Sequence, residues 1–171
     1  MKYDPLQHHR RSIRLKNYDY TLPGAYFITI CTRENGDILG YLVGQQVELS
    51  PLGQVVERHL EVLPDFFSNL QIDERVIMPD HLHAILILSA REETKSATIP
   101  TIVQNFKSVT SRKINRMCRR QGQRFWQRNY YDHVIRNEQS LAEIRQYVRQ
   151  NPMGESWSRV TSQFVEAKQV K

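Results

Sequence analysis

The sequence VIMPDHLHAILIL at residues 76–88 constrains the fold of this chain more than any other stretch. An apolar run leads to Pro79 and Asp80, which form a corner. The aliphatic run after the corner contains His81 and His83. Such runs predict two strands hinged at the corner. Residues two apart on a strand point to the same face, so the two imidazoles project side by side and can form half of a divalent-metal site. An exposed histidine edge without a ligand is the alternative reading of these residues.

Hydrophobic periodicity and turn signals divide the rest of the chain into strands and helices. Ser50 and Pro51 predict a helix start, and Asn137 caps a last helix that runs through residue 150. The other predicted elements are extended segments at 25–32, 38–49, 72–78, 82–88 and 125–135, and a helix at about 99–120. The predicted core face of that helix comprises Ile102, Val103, Phe106, Val109, Ile114 and Met117.

This order of elements predicts an α+β domain in which helices pack on an antiparallel sheet. Strand alternation places Leu82, Ala84 and Leu86 on the face opposite the two histidines, but it leaves open whether the histidines face a helix layer or solvent. We expect a single domain at residues 21–155, a basic N-terminal arm at 1–20 and a polar tail at 156–171.

The composition excludes several classes of protein. No apolar run approaches the roughly 20 residues that span a bilayer, and the N-terminus has no apolar signal region, so we expect a cytoplasmic protein. The two cysteines, Cys31 and Cys118, match no disulfide framework or zinc-binding spacing, and reduced thiols are expected.

The positive charge is concentrated in one segment. The chain carries a net charge of +6, yet no Asp or Glu occurs between Thr94 and Tyr131. A polyanion such as a nucleic acid is the partner that this imbalance favours, although a charge run also describes a solvated helix face. The nine cations of the segment are Lys95, Lys107, Arg112, Lys113, Arg116, Arg119, Arg120, Arg124 and Arg128, and a second cluster contains Arg10, Arg11 and Arg14.

The last predicted helix carries Tyr147 and, one turn later, Asn151 on the same face. Tyr147 borders the apolar stripe, as an ordinary boundary residue does. Beside a divalent cation that polarises a phosphate, however, a tyrosyl oxygen can attack phosphorus and form a phosphotyrosine ester. The amide oxygen of Asn151 could then supply a third metal ligand.

Three motifs together resemble a known family. The sequence PDHLH at 79–83, followed by strand aliphatics, matches the His-hydrophobic-His motif of single-tyrosine HUH endonucleases. The sequences WQRNYYDHVIRN at 126–137 and YVRQNP at 147–152 resemble the REP-associated tyrosine transposases, relatives of insertion-sequence transposases that act on single-stranded DNA. The resemblance covers roughly residues 20–155.

The resemblance implies a ferredoxin-like antiparallel sheet with helices packed on one face. It implies that His81 and His83 bind Mg²⁺ or Mn²⁺ and that Tyr147 is the nucleophile. Asn151 falls where the transposases commonly have a glutamine as third ligand, and its shorter side chain makes this assignment less direct. The implied reaction is transesterification, which leaves a 5′-phosphotyrosine and a free 3′-OH near hairpins in single-stranded DNA, in a protein that acts as a monomer or a homodimer.

The predicted DNA contacts are basic and aromatic. Trp126, Tyr130 or Tyr131 could stack on bases or could equally belong to the core. His133 and Arg136 are predicted to contact DNA only because they fit the family's sequence pattern. The predicted contacts are Arg112, Lys113, Arg116, Arg119, Arg120, Arg124, Arg128, Trp126, His133, Arg136, Arg10, Arg11 and Arg14.

Two alternative functions would use the same basic segment. One is a hairpin-DNA-binding protein without catalytic activity, which would have no need of His81, His83 and Tyr147. The other is an RNA-binding module, which would also leave those three residues unexplained.

Overall fold

The fold is described from a computed structural model, which describes residues 18–34, 36–90 and 97–151. Most of the predicted N-terminal arm, with Arg10, Arg11 and Arg14, and the predicted tail lie outside the described residues. The strands are β1 (Gly24–Cys31), β2 (Gly40–Val43), β3 (Gln46–Leu49), β4 (Leu70–Ile77), β5 (His81–Leu88) and β6 (Tyr131–Ile135). The helices are α1 (Pro51–Glu61), α2 (Leu63–Phe66), α3 (Ile99–Met117) and α4 (Glu138–Gln150).

Four strands form one antiparallel sheet in the order β4-β5-β1-β6. With α1 between β1 and β4 and α3 between β5 and β6, the chain follows the βαββαβ path of a ferredoxin-like fold. The predicted α+β class and the antiparallel ferredoxin-like sheet are confirmed. The predicted extended segment at 38–49 is a separate two-stranded hairpin, β2–β3.

One face of the sheet carries the main core. Tyr26 and Ile28 of β1 and Leu82 and Leu86 of β5 pack there against apolar side chains of α1 and α3. Helix α1 begins as predicted, because the Ser50 hydroxyl accepts hydrogen bonds from the amides of Leu52 and Gly53, 3.2 and 3.1 Å away. Of the described helices, none is both long and apolar enough to cross a membrane.

The opposite face is covered by α4, so the prediction that helices pack on one face holds for α1 and α3 only. Leu141, Ile144 and Val148 of α4 pack against Phe27 and Ile85 in a second apolar cluster. Because side chains alternate along a strand, this is also the face of His81 and His83. The histidines therefore lie beneath a helix rather than on an open surface.

Helix α3 is shorter than predicted. It ends at Met117 rather than near residue 120, and the chain then turns through Arg119, which has a φ of +53°. The inclusion of Met117 in the core face was wrong, because its side chain is 52% exposed at the end of the helix. Thr110 is fully buried instead, whereas Val109 is half-buried.

Candidate active site

The two histidines stand at the beginning of β5, where a tight turn joins it to β4. The amide of Met78 donates to the carbonyl of His81 across this turn, at 2.8 Å. The amide and hydroxyl of Thr32 both donate to the carbonyl of Asp80, at 2.8 Å each. The turn is thus tied to the end of β1, which fixes the first residues of β5.

The Nε2 atoms of His81 and His83 lie 3.1 Å apart. Two nitrogens that bind one ion at about 2.1 Å each, at roughly a right angle, are about 3 Å apart. The pair is therefore spaced to share a cation. His83 is completely buried and stacks on the ring of Phe27, with centroids 5.3 Å apart, whereas His81 retains some exposure.

The outer nitrogens of both rings have oxygen partners. His81 Nδ1 lies 2.6 Å from Asp80 Oδ1, and His83 Nδ1 lies 2.8 Å from the hydroxyl of Thr29. A proton on each Nδ1 makes each Nε2 an acceptor whose lone pair can bind a metal, which is the arrangement of metal-binding histidines with an oxygen acceptor behind them. Burial, and then the neighbouring His81, lower the pKa of His83 well below its usual value, which favours the neutral, metal-binding form.

Tyr147 reaches the same point from α4. Its hydroxyl lies 3.3 Å from His83 Nε2, and its ring meets the rings of His83 and Phe27 edge-on. Helix α4 starts as predicted, since the Asn137 side chain accepts a hydrogen bond from the amide of Ser140 at 2.8 Å. The structure therefore brings together the predicted nucleophile and the two predicted metal ligands.

Asn151 follows one turn after Tyr147 and is 5% exposed. Its Nδ2 atom is buried and has no hydrogen-bond partner among the described residues. No group of three or more His, Cys, Asp or Glu side chains suited to a metal occurs in the described part of the chain. Any third protein ligand beside the two histidines would therefore come from another residue type; for Asn151, the predicted one, the ligand would be the amide oxygen, because the NH₂ group is a donor only.

Two ion pairs hold α4 against the edge strand β4. Arg145 binds Asp73 through two hydrogen bonds of 2.7 and 2.8 Å, and Arg149 binds Glu74. A register shift between Ile72 and Arg75 interrupts the pairing of β4 where these two carboxylates occur. The arginines flank Tyr147 by two residues on either side, so the pairs position the helix turn that carries the tyrosine.

The sequence patterns do not predict these supporting residues. Asp80 belongs to the PDHLH motif, and its contact with His81 could have been predicted from its position next to that residue. Nothing in the sequence indicated that Thr29 lies under His83, or that Asp73 and Glu74 pair with α4, because those contacts depend on strand register and on a bulge.

Trp126 is corrected from a predicted DNA contact to a core residue. It is 3% exposed, and its indole donates to the Thr110 hydroxyl at 2.9 Å, so the ring is not available to a base. Lys107 is also structural, because its ammonium group donates to the carbonyls of residues 127–129. Among the aromatic candidates, Tyr131 is 37% exposed and Tyr130 packs partly against the core.

The other predicted DNA contacts occupy different parts of the surface. Arg136 follows the end of β6 that pairs with Ala25, away from the histidines, and His133 is half-buried opposite Phe27. Arg120 forms an ion pair with Glu34 at 3.3 Å. The remaining predicted DNA contacts among the described residues are exposed, namely Arg112, Lys113, Arg116, Arg119, Arg124 and Arg128.

Comparison with known proteins gives concordant results. The family model "Transposase IS200 like" matches residues 53–151. A Haemophilus influenzae protein of uncharacterised function is 41% identical over 172 residues, covering 89% of this chain and 93% of that protein. A candidate REP-associated tyrosine transposase of the same organism is 26% identical over 160 residues, covering 88% of this chain and 83% of that protein.

A solved structure has the same fold. It is that of a REP-associated tyrosine transposase bound to a REP hairpin, and it matches 83% of this chain and 74% of that chain with a TM-score of 0.61 at 18% identity.

Proposed function

Because the chain belongs to the family of IS200-like transposases, we propose that it is a metal-dependent endonuclease and strand transferase acting on single-stranded DNA. The convergence of one tyrosine hydroxyl and two imidazole Nε2 atoms carries this proposal, with distances of 3.3 and 3.1 Å. A merely structural tyrosine has no need of a histidine Nε2 at its hydroxyl that is itself paired with the Nε2 of a second histidine.

His81 and His83 are proposed to hold the metal ion, with Asn151 as a third ligand. The two imidazoles fit a divalent cation, since oxygen partners orient both of them, and Asn151, one turn after Tyr147, would add its amide oxygen. Mg²⁺ or Mn²⁺ is proposed because the family that the chain resembles uses these ions. Such an ion, when bound, polarises the scissile phosphate as a Lewis acid.

Tyr147 is proposed to attack the phosphorus atom. A bond forms between its oxygen and phosphorus as the bond from phosphorus to the 3′ oxygen breaks. The phenol loses its proton, and the departing oxygen gains one to become a free 3′-OH. Packing against Phe27 and His83 restricts the phenol to one orientation, which reduces the entropy lost on reaching the attacking geometry. Attack of a 3′-OH on the ester reverses the step and rejoins DNA.

The proposed substrate is single-stranded DNA next to a repeat hairpin. Support comes from the solved relative bound to a REP hairpin and from the exposed cations of α3 and the segment after it. Cations that contact phosphates fix the position of a nucleic acid without reading its sequence. The bases recognised in the hairpin therefore depend on other contacts.

An end-labelled hairpin oligonucleotide with single-stranded flanks tests the proposal. With Mn²⁺ or Mg²⁺, the wild-type protein should form a covalent adduct that survives a denaturing gel, whereas Tyr147→Phe or EDTA should abolish it. Tyr41→Phe, a change on the exposed hairpin β2–β3, is the matched control and should leave the adduct unchanged.

Two outcomes would contradict the proposal. An adduct that persists in Tyr147→Phe would assign the nucleophile to another residue. Tight hairpin binding without an adduct under either metal would instead favour a DNA-binding protein that does not cleave, and competition by RNA would favour an RNA-binding module.

A further inference from the structure

The end of α3 adopts a backbone conformation that an arginine rarely occupies. The Arg120 amide donates to the Asn115 carbonyl at 2.8 Å, and the Arg119 amide donates to the Arg116 carbonyl at 3.4 Å. This is the Schellman pattern, in which the residue after the C-cap is left-handed and is usually glycine. Here Arg119 has that conformation, with a φ of +53°. A side chain at this position costs stability that glycine would not.

Arg119 lines an open groove at this end of the helix. Arg112 and Arg116 line the same groove, together with Ser108 and Ser111 of α3 and residues 121–123. The side chain of Asn115 donates to the Gln123 carbonyl at 2.7 Å, which holds the 121–123 segment beside the helix. The shape of the groove is therefore fixed by this hydrogen bond and does not depend only on long, flexible side chains.

The charge of this groove is uncompensated. None of Arg112, Arg116 and Arg119 forms an ion pair with a carboxylate in the described residues, and the Arg112 guanidinium donates to the Ser108 hydroxyl at 3.0 Å. By contrast, Arg120, the next residue along the chain, is paired with Glu34. Three unpaired guanidinium groups beside hydroxyl and amide groups are suited to the phosphates of a nucleic acid.

The groove lies at the same end of the sheet as the candidate active site. Cys31 pairs with His81 across the sheet, and its carbonyl accepts from the amide of Gln127 at 2.9 Å. The amide of Arg33 likewise donates to the carbonyl of Phe125 at 2.8 Å. The segment that borders the groove therefore runs directly to the end of β1, which pairs with the strand that carries the histidines.

We infer that this groove binds the phosphate backbone of the base-paired stem of the DNA hairpin, and that Arg119 occupies a glycine position because it makes one of those contacts. The inference rests on the proposed function and adds the site for the stem. The residues that line the groove include no aromatic ring. Single-strand sites stack bases on aromatic side chains, whereas contacts to duplex phosphates use arginine, serine and amide groups.

The test uses the full chain carrying Tyr147→Phe, in EDTA, so that binding is measured without cleavage. Fluorescence anisotropy follows three DNA probes across a salt series: a hairpin with flanks, the isolated duplex stem, and an unstructured strand of the same length. Arg119→Gly is compared with Arg119→Lys, which retains the charge, and with Arg75→Gln, which removes a positive charge of β4 that is paired with Glu61 of α1.

Arg119→Gly should stabilise the protein and weaken binding at the same time. We expect Tm to rise by roughly 2–4 °C, because the left-handed position is then occupied by glycine. Loss of one phosphate contact should make the salt slope shallower by about 0.9 and weaken hairpin and duplex binding about eightfold at 0.1 M salt. Arg119→Lys should stay close to the parent protein in affinity, and Arg75→Gln should not change the slope.

Each opposite result would overturn a defined part of the inference. Unchanged hairpin affinity in Arg119→Gly would remove the groove from the binding surface, and a lower Tm would remove the explanation by backbone strain. An equal loss of affinity for the unstructured strand would assign the groove to single-stranded DNA. Adduct formation by the protein with Tyr147 intact is measured separately, so failure of the groove and failure of the proposed chemistry remain distinct.

Discussion

Thr29 lies beneath the candidate site with no exposure to solvent, and its hydroxyl is 2.8 Å from His83 Nδ1. The contact favours the ring orientation in which His83 Nε2 faces His81 and Tyr147. Oxygen partners of this kind matter because they fix the tautomer of a metal-binding imidazole and raise its basicity. Thr29 would thus control the orientation of a proposed metal ligand.

Replacing Thr29 with valine removes the hydroxyl and retains the shape. We expect Mn²⁺ affinity, measured by calorimetry, to fall about 10- to 100-fold. The free energy of unfolding, measured in urea, should fall by about 1–3 kcal/mol, because His83 Nδ1 is left buried without its partner. Thr29→Ser retains the hydroxyl and is the matched control. Equal Mn²⁺ affinity in the wild type and Thr29→Val would show that the contact does not support the metal site.

At the scale of secondary-structure elements, α4 is held by apolar packing and by the ion pairs of Arg145 and Arg149. The pair between Arg145 and Asp73 is partly buried and bidentate, so it constrains rotation of the helix as well as its distance from β4. A displacement near 1 Å at a reacting group can reduce a rate about 100-fold. The pair should therefore matter more to the reaction than to DNA binding.

Reversing the charge at Arg145 tests this role. Arg145→Asp should slow adduct formation roughly 10- to 100-fold, with hairpin affinity little changed, because Tyr147 is then held less well. Combining it with Asp73→Arg should restore much of the rate. Arg75→Glu, which disrupts an exposed pair on the same strand, should have little effect. Equal loss of activity in the double variant and in Arg145→Asp would show that the pair does not position the helix.

The elements that the sequence predicted well are those with local signals. Ser50 and Asn137 cap their helices through their own side chains, and the spacing of His81 and His83 directly sets a common face. The predicted end of α3 lies too far along the chain. The left-handed residue that follows the helix is Arg119, whereas the usual sequence signal of a helix end is a glycine at that position. Burial of Trp126 could not be derived locally either, since its partner Thr110 is 16 residues away.

At the scale of the whole molecule, α4 crosses the face of the sheet opposite α1 and α3. Alternation along β5 does not distinguish the two faces, so only the tertiary structure shows that the histidines and the tyrosine share one of them. In this arrangement the C-terminal ends of α3 and α4 both lie at the end of the sheet where β5 begins. A DNA hairpin that contacts the groove of α3 could therefore extend its single-stranded flank toward Tyr147.

The arrangement also predicts that each chain is catalytically complete. Tyr147 lies 3.3 Å from His83 of its own chain, and α4 is fastened to its own β4 by Arg145 and Arg149. A mixture of Tyr147→Phe chains with His83→Ala chains should therefore form no covalent adduct with the hairpin oligonucleotide. Mixing each variant with wild type controls for inhibition and should give the adduct expected from the wild-type share alone. Adduct recovered in the mixture of the two variants would mean that the tyrosine acts on the histidines of a second chain, in a dimer that exchanges α4.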